Sequence, residues 1–459
     1  MKKNKGALPL VILAGILPWI VCFTIEEISL QALPWFPNQE FWMDIFLNGK
    51  SIVITLLGSY MALSLLYRWI RRRLEKPGIE WLVLLVLGIL ELASAIMSVW
   101  PRYSFDGMPE QYEPVGVLLA YLVIAFYAYE YVRCGGDLKP ICQVLAVSVG
   151  TLCILGCTQL LQHDFWETDF GKAFLIPETY AQLREELHFQ FTETGTLKVY
   201  MTLYNPDYAG IFLVMVGSLL WVRKKSKASV LVAVMAGICL LGTGSGTTWL
   251  TAGILLLLGF LMKGKGIEEN RWKILPTGAA VLLIGGAVWW NVAGAGNSMT
   301  QQIPLENVQA GTDAVYLTYA QQSIRLGYTI DEETGGVVQD IQYADGTKVP
   351  VVWADDRGEC DPKEEKLAGL HFKVYQKHKI NYVQFRCEDV VFRFADSPDT
   401  GKFEYITIYG KVDALADADT TGLLPEQFLN GRGYIWNRVL PIIGKHPLLG
   451  TGPDTFLLA

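Results

Sequence analysis

Long apolar runs occupy the first two thirds of the chain, and each is near the length that a membrane-spanning helix needs. Such a helix takes about 20 mostly apolar residues, because its backbone must satisfy its own hydrogen bonds in hydrocarbon. Nine segments come close to this length. They are residues 8–25, 51–69, 81–100, 115–132, 141–161, 208–222, 228–241, 248–262 and 274–292. The pattern predicts a polytopic α-helical membrane protein with about nine transmembrane helices over residues 1–292.

The positive charges cluster in every second loop between these runs, so all of the clusters fall on the same side of the membrane if the nine helices alternate in direction. Basic clusters lie before the first run and after the second, fourth, sixth and eighth runs, at residues 2–5, 68–76, 133–139, 223–227 and 263–273. Lysine and arginine favour cytoplasmic loops, so the N-terminus is expected in the cytoplasm. The basic start resembles a signal peptide. No small-residue cleavage site follows it, so we interpret the first run as a retained helix.

The polar residues concentrate after the ninth run and follow a different period. Segments of alternating or β-rich sequence lie between about residues 312 and 412, and turn signals such as Asp345-Gly346 separate them. They predict an inserted extracytoplasmic β domain over residues 293–425. Residues 426–459 form a third part that leads toward a further membrane helix. Cys360 and Cys387 fall in the β domain, and the sequence leaves open whether they form a disulfide.

The composition narrows the class of partner. Charged residues make up only 18% of the chain and the formal net charge is −7, which argues against a general nucleic-acid-binding protein with its basic patch. Five cysteines fall in apolar runs, where they behave as small buried hydrophobic residues. No cluster of metal ligands stands out, so no metal site and no cofactor are expected. The lipid bilayer is the partner that the apolar runs predict.

The stretch at residues 430–456, NGRGYIWNRVLPIIGKHPLLGTGPDTF, carries the most specific motif. It resembles the O-antigen ligase and Wzy-type polymerase family, in which a "GR…W" element precedes an "hPllGtGpgtf" element in an external loop between late transmembrane helices. The matching residues are Gly431, Arg432, Trp436, His446, Pro447, Gly450, Gly452, Pro453 and Phe456. Members of this family continue through further helices, so a tenth helix is expected to follow Ala459.

Two other stretches resemble the same family more weakly. Residues 197–213 contain Asn205 and Pro206, which match an asparagine-proline element at the outer start of a helix. Residues 240–260 match a helix start in which Ser245 is followed by an arginine in the family, whereas this chain has Gly246. That arginine is thought to hold the lipid diphosphate. Lys198, Arg432 and Arg438 are the candidates for the missing charge.

The resemblance implies a metal-independent glycosyltransferase of the bacterial cytoplasmic membrane, which moves a glycan from undecaprenyl diphosphate to an acceptor sugar or wall polymer. Other polysaccharide-assembly proteins would be its partners. Arg432 is the candidate for neutralising the diphosphate, and His446 is the candidate for accepting the hydroxyl proton, because a guanidinium binds phosphate with two hydrogen bonds and an imidazole titrates near neutral pH. The candidates for substrate binding are Lys198, Asn205, Ser245, Trp436 and Arg438.

Each residue also has an ordinary structural interpretation. An arginine such as Arg432 at a membrane face is often a headgroup anchor, and a lone histidine such as His446 often lies on the surface. Asn205 is as good a helix cap as a ligand, and Glu91, within an apolar run, is interpreted as structural. Two other functions stay open: a transporter or flippase for lipid-linked sugars, and a non-enzymatic receptor or scaffold.

Overall fold

The computed structural model describes most of the chain in two compact units. The described residues are 6–28, 40–72, 78–109, 111–189, 198–222, 227–245, 248–249, 251–254, 305–331, 336–353, 359–387, 390–407, 412–413, 415, 421–424 and 428–458. The first unit comprises Met1–Thr24, Met43–Ala295 and Asp419–Ala459, and the second comprises Ile25–Trp42 and Gly296–Ala418.

The first unit is helical. Its helices are α1 (Leu8–Gly15), α2 (Asn48–Ile70), α3 (Ile79–Met97), α4 (Pro101–Asp106), α5 (Val115–Arg133), α6 (Lys139–Leu160), α7 (Asp169–Leu175), α8 (Leu183–Glu186), α9 (Pro206–Val222), α10 (Lys227–Gly242) and α11 (Phe428–Lys445). Single 3₁₀ turns lie at Leu17–Trp19, Phe165–Glu167, Glu178–Tyr180 and Phe456–Leu458.

The predicted nine-helix membrane class is wrong. Within the described part of the chain, three helices are long and apolar enough to cross a membrane by length and composition: α2, α5 and α6. The other apolar helices are shorter, at Leu8–Trp19, Trp81–Met97, Pro206–Gly217 and Val230–Gly242. The eighth run is described only at residues 248–249 and 251–254, and the ninth lies outside the described residues. Apolar helices of about 10–14 residues are more typical of a buried core than of a membrane span, and all but Trp81–Met97 of the four shorter helices are in this range.

Prolines account for two of the shortened helices. The first run is interrupted after Gly15, a 3₁₀ turn that contains Pro18 follows, and the chain is extended by Ile20. The third run ends at Met97, because Pro101 begins a separate short helix. A proline has no backbone N–H to donate to the preceding helical turn, so a continuous apolar sequence does not give a continuous helix here.

Small residues bring the long helices together. A Cβ at Gly58 of α2 would lie 2.5 Å from Cβ of Ala120 on α5, so the two backbones approach closely. Leu152 and Cys153 of α6 pack with Cys239 of α10 in a buried cluster. The Ser148 hydroxyl donates to the carbonyl of Gly15 at 3.0 Å, which ties α6 to the end of α1.

The C-terminal region contains two antiparallel sheets. The four-stranded sheet is β3 (Leu305–Ala310), β4 (Val315–Tyr319), β5 (Gln322–Ile330) and β6 (Val337–Tyr343) in that order. The seven-stranded sheet is β7 (Val351–Trp353), β8 (Glu359–Pro362), β9 (Leu370–Lys377), β10 (Ile380–Cys387), β11 (Val390–Asp396), β12 (Phe403–Ile406) and β13 (Val412–Asp413). A separate pair joins β1 (Thr24–Ile28) to β2 (Glu40–Asp44). Both larger sheets contribute to one core, which includes Leu317, Leu326, Phe372 and Phe385.

No disulfide joins the two cysteines of this region. Cys360 on β8 pairs with Phe372 on β9, and Cys387 on β10 pairs with Leu370 on β9. The cysteines therefore lie on the two strands that flank β9, two strand spacings apart and offset by two residues along the strands, which separates their Cα atoms by about 11–12 Å. A disulfide needs Cα atoms within about 7 Å. The possibility of a Cys360–Cys387 disulfide is thus settled in favour of two buried thiols.

Candidate functional site

A cavity of about 630 Å³ in the helical unit collects polar side chains from three stretches of the sequence. We call it the lysine cavity. Its walls are Met43, Asp44, Ile45, Phe46, Leu187, His188, Phe189, Lys198, Tyr204, Asn205, Pro206, Asp207, Thr243, Gly244 and Ser245. Three of the predicted substrate-binding residues, Lys198, Asn205 and Ser245, therefore line one space.

Helix α9 begins at this cavity, and a short helical stretch of described residues follows Ser245. The Asn205 side chain accepts a hydrogen bond from the amide of Tyr208 at 2.9 Å, so it caps α9. The Ser245 hydroxyl accepts from the amide of Thr248 at 3.2 Å, where the next helical residues start. Gly244 has φ +59, and this left-handed conformation turns the chain between α10 and Ser245. Asn205 and Ser245 were predicted to bind substrate. Both also accept a hydrogen bond from a backbone amide three residues later, as a helix cap does.

The segment that carries Lys198 and Asn205 is held in a strained conformation. Met201 has φ 56 and Tyr204 has φ 72, which cost about 1–2 kcal/mol each for a residue with a Cβ. The side-chain oxygen of Gln159, Oε1, accepts from the backbone amides of Tyr200 at 3.2 Å and Met201 at 2.8 Å. The Trp166 indole donates to the Met201 carbonyl at 3.0 Å. Strained backbone held by several partners is typical of binding and catalytic sites.

A half-buried lysine, Lys50, joins this segment to the other walls. Lys50 Nζ donates to the carbonyls of Ile20, Phe46 and Thr202 at 2.8, 2.6 and 2.7 Å. Asp44, on the same wall as Phe46, accepts from the amide of Asn48 at 2.8 Å. Burial raises the pKa of the Asp44 carboxyl, and its backbone hydrogen bonds partly offset this effect. Hydrogen bonds of Lys50, which is not itself on the walls, and of Asp44, which is, therefore hold the walls of the cavity in place.

His446 lines a different and smaller cavity of about 250 Å³. Its walls are Glu91, Ser94, Val439, Ile442, Ile443, His446, Leu449, Gly450, Thr451, Gly452, Pro453 and Phe456, none of which lines the lysine cavity. The loop at residues 446–455, which we call the C-terminal loop, is anchored to α3 by the Ser94 hydroxyl at the Leu449 carbonyl and by the Ser98 hydroxyl at the Thr451 carbonyl, the latter at 2.8 Å.

Asp454 anchors the end of the C-terminal loop. One of its carboxylate oxygens accepts from the amides of Met108 at 2.6 Å and Glu113 at 3.1 Å. Burial raises the pKa of this carboxyl to about 6, although the two amides act in the opposite direction. Its other oxygen is buried without a hydrogen-bond partner. The loop is therefore docked at three places along its length.

The remaining predicted residues lie on α11. Arg432 is within this helix, but its side chain is outside the described residues. Trp436 is 47% exposed. The Arg438 guanidinium lies 3.4 Å from the ring centroid of Tyr434 and donates to the Tyr434 carbonyl at 3.1 Å. Neither Trp436 nor Arg438 lines the two cavities.

Several cavity residues were not predicted as site residues. His188 and Asp207 lie in the polar stretch between two apolar runs, and Asp44 precedes the second run. Asp207 could have been selected from the sequence, because it directly follows Pro206 and acidic residues favour the first turn of a helix. Among the described residues, no group of three or more histidine, cysteine, aspartate or glutamate side chains is placed to hold a metal ion.

Comparison with known proteins gives no relative. No protein-family model, curated protein or solved structure matches the chain.

Proposed function

We propose that the protein is a membrane-bound transferase that moves a glycan from a polyprenyl diphosphate to an acceptor hydroxyl. The proposal joins the motif at residues 430–456 to one structural observation. Lys198, Asn205 and Ser245, selected from two separate stretches of sequence, line the same cavity.

The electrostatics of the lysine cavity suit a diphosphate. Lys198 supplies a full positive charge, and lysine is a common phosphate ligand. The first turn of α9 adds a partial positive charge of about 0.5, which Asp207 in the same turn partly offsets, and helix N-termini are frequent anion sites. A sugar also needs hydrogen-bond acceptors for its hydroxyls, and Asp44 and Asp207 on the same walls provide them.

This chain has Gly246 at the position where the family has an arginine, and three other residues were candidates to replace that positive charge. The cavity supports one of them. Lys198 lies on the walls together with Ser245. Arg438 stacks on Tyr434 and is absent from these walls. We therefore assign the compensating charge to Lys198, and Arg432 stays a prediction for the leaving diphosphate.

The lipid part of the donor requires a bilayer. The helices α2, α5 and α6 are the candidates for spanning it. Many of their large apolar side chains are exposed, for example Leu56 at 64% and Val147 at 68%. A membrane location, with the cavity open to the polyprenyl chain from the lipid, gives these side chains an apolar environment. The bacterial cytoplasmic membrane and a surface-polysaccharide acceptor belong to the same proposal.

The test is transfer in proteoliposomes that contain the purified full chain and undecaprenyl-diphosphate oligosaccharide with an acceptor glycan. Release of lipid diphosphate and product length are measured for the wild type and for Lys198→Met. Loss of one charge-assisted hydrogen bond is worth about 1.5–3 kcal/mol, so KM for the donor should rise about 10- to 100-fold. The control Lys139→Met, at an exposed position at the start of α6, should behave like the wild type.

The same preparation separates the proposal from its alternatives. A flippase would move the lipid-linked sugar across the bilayer without releasing lipid diphosphate. A receptor or scaffold would bind a ligand and do neither. Absence of release from the wild type would therefore overturn the transferase, and longer products from an active wild type would indicate a polymerase rather than a ligase.

A further inference from the structure

We infer that His188 is the group that takes the proton from the acceptor hydroxyl, and that Glu167 positions it. This inference rests on the proposed transferase function. Its starting point is that His188 lines the lysine cavity together with Lys198, Asn205 and Ser245. The resemblance gives the proton to His446, which lines a separate cavity.

The backbone on both sides of His188 is anchored by one ion pair. Lys172 Nζ donates to the carbonyl of Leu187 at 2.6 Å, and one Glu167 carboxylate oxygen accepts from the amide of Phe189 at 2.6 Å. Lys172 and Glu167 also form an ion pair at 3.2 Å, and Lys172 is only 8% exposed. The three residues 187–189 are thus fixed at both ends.

The imidazole of His188 is directed by the same glutamate. Its Nδ1 lies 3.7 Å from the second Glu167 oxygen, and 55% of the side chain is exposed. This separation is longer than a hydrogen bond, so the carboxylate acts on the imidazole through its charge, which favours the tautomer with the proton on Nδ1 and leaves Nε2 as the acceptor. This is the arrangement of a general base whose orientation is set by a neighbouring acid.

Glu167 is itself rigidly placed. It ends the 3₁₀ turn Phe165–Glu167, which Asp164 caps by accepting from the amide of Trp166 at 3.0 Å. Trp166 is 4% exposed and packs edge-on against Phe46 on the cavity wall. Thr168 then caps α7 by accepting from the amide of Gly171. The position of His188 therefore depends on a packed turn rather than on a surface loop alone.

The proposed step balances with these groups. The acceptor oxygen forms a bond to the anomeric carbon of the glycan, and its proton passes to Nε2 of His188. The bond from the anomeric carbon to the phosphate oxygen breaks, and its electron pair leaves with the polyprenyl diphosphate. Lys198 and the N-terminus of α9 stabilise that charge. Among the described residues, the other charged groups beside His188 or on the walls of its cavity are Glu167, Lys172, Asp44 and Asp207.

Chemical rescue provides the test. In the proteoliposome assay, His188→Ala should lower kcat by about 100-fold or more, the usual contribution of general base catalysis. KM for the donor should change less than about twofold, and added imidazole should restore part of kcat. His163→Ala, another exposed histidine of the described chain, is the matched control and should keep wild-type activity. His446→Ala should show no rescue by imidazole.

Glu167→Gln tests the positioning role. Glutamine keeps an oxygen that accepts from the amide of Phe189, so the variant retains this anchor. It should lower kcat while KM for the donor stays near the wild-type value. Full activity in His188→Ala, or a loss that imidazole does not restore, would overturn the assignment while the transferase stands. An inactive wild type would overturn both.

Discussion

The hydrogen bonds of Gln159 to the segment that carries Lys198 and Asn205 give the sharpest test of the fold. Gln159 is 4% exposed. The oxygen of its side-chain amide, Oε1, accepts from the backbone amides of Tyr200 and Met201, two residues that are themselves fully buried. Leucine has a similar size but no acceptor, so Gln159→Leu leaves two buried amides unsatisfied. Each unsatisfied amide costs about 1–3 kcal/mol, which gives a total of about 2–6 kcal/mol. The strained residues Met201 and Tyr204 lie next to these amides and should relax when they are released.

Two measurements follow the effect of Gln159→Leu. Thermal unfolding of the detergent-solubilised protein gives the change in the free energy of unfolding, and hydrogen exchange gives the protection of the amides of Tyr200 and Met201. We expect lower stability, faster exchange at these amides and a higher KM for the donor. The control Gln182→Leu changes an exposed glutamine that makes no side-chain cap to α8. Wild-type stability and unchanged protection in Gln159→Leu would refute the reasoning.

Two further predictions concern titration and redox state. The pKa of the Asp454 carboxyl is raised to about 6 from its ordinary value of 3.8, so the folded protein binds a proton between these values that the unfolded chain has released. Stability should therefore rise as the pH falls from above 6 towards 4, and Asp454→Asn should flatten this slope in thermal unfolding; an equal slope in both proteins would contradict the assignment. Burial raises the pKa of the Cys360 thiol to about 12, so iodoacetamide should label Cys360 and Cys387 only after unfolding, and a disulfide-linked peptide in the mass spectrum would show the register of β8–β10 to be wrong.

The sequence was a good guide where an apolar run and a helix have the same length. The run at residues 115–132 corresponds to α5, Val115–Arg133, and the run at 141–161 corresponds to α6, Lys139–Leu160. It was a poor guide at residues 8–25, because hydrophobicity does not report the break around Pro18. Apolar length shows that side chains avoid water, and a protein core satisfies this requirement as well as a bilayer does.

The site was only partly accessible to sequence reasoning. Lys198, Asn205 and Ser245 were selected by resemblance, and the structure places them around one cavity. His188 has no local motif. Its proposed role depends on Glu167 and Lys172, which precede it in the chain and reach it only through tertiary contacts. Such a pairing has no period and no fixed spacing from which it can be predicted.

The C-terminal motif supports function less directly than its sequence suggests. Gly452 has φ +118, and a Cβ there would lie 2.4 Å from the Ser98 hydroxyl, so this glycine is required for docking on α3. Gly450 has φ +64, which also favours glycine. The glycines of "GTGP" are therefore explained by backbone geometry alone. Docking of the C-terminal loop requires neither His446 nor Lys198. Of these two residues, only Lys198 lines the cavity at which α9 begins. The proposal of a diphosphate substrate therefore rests on the lysine cavity.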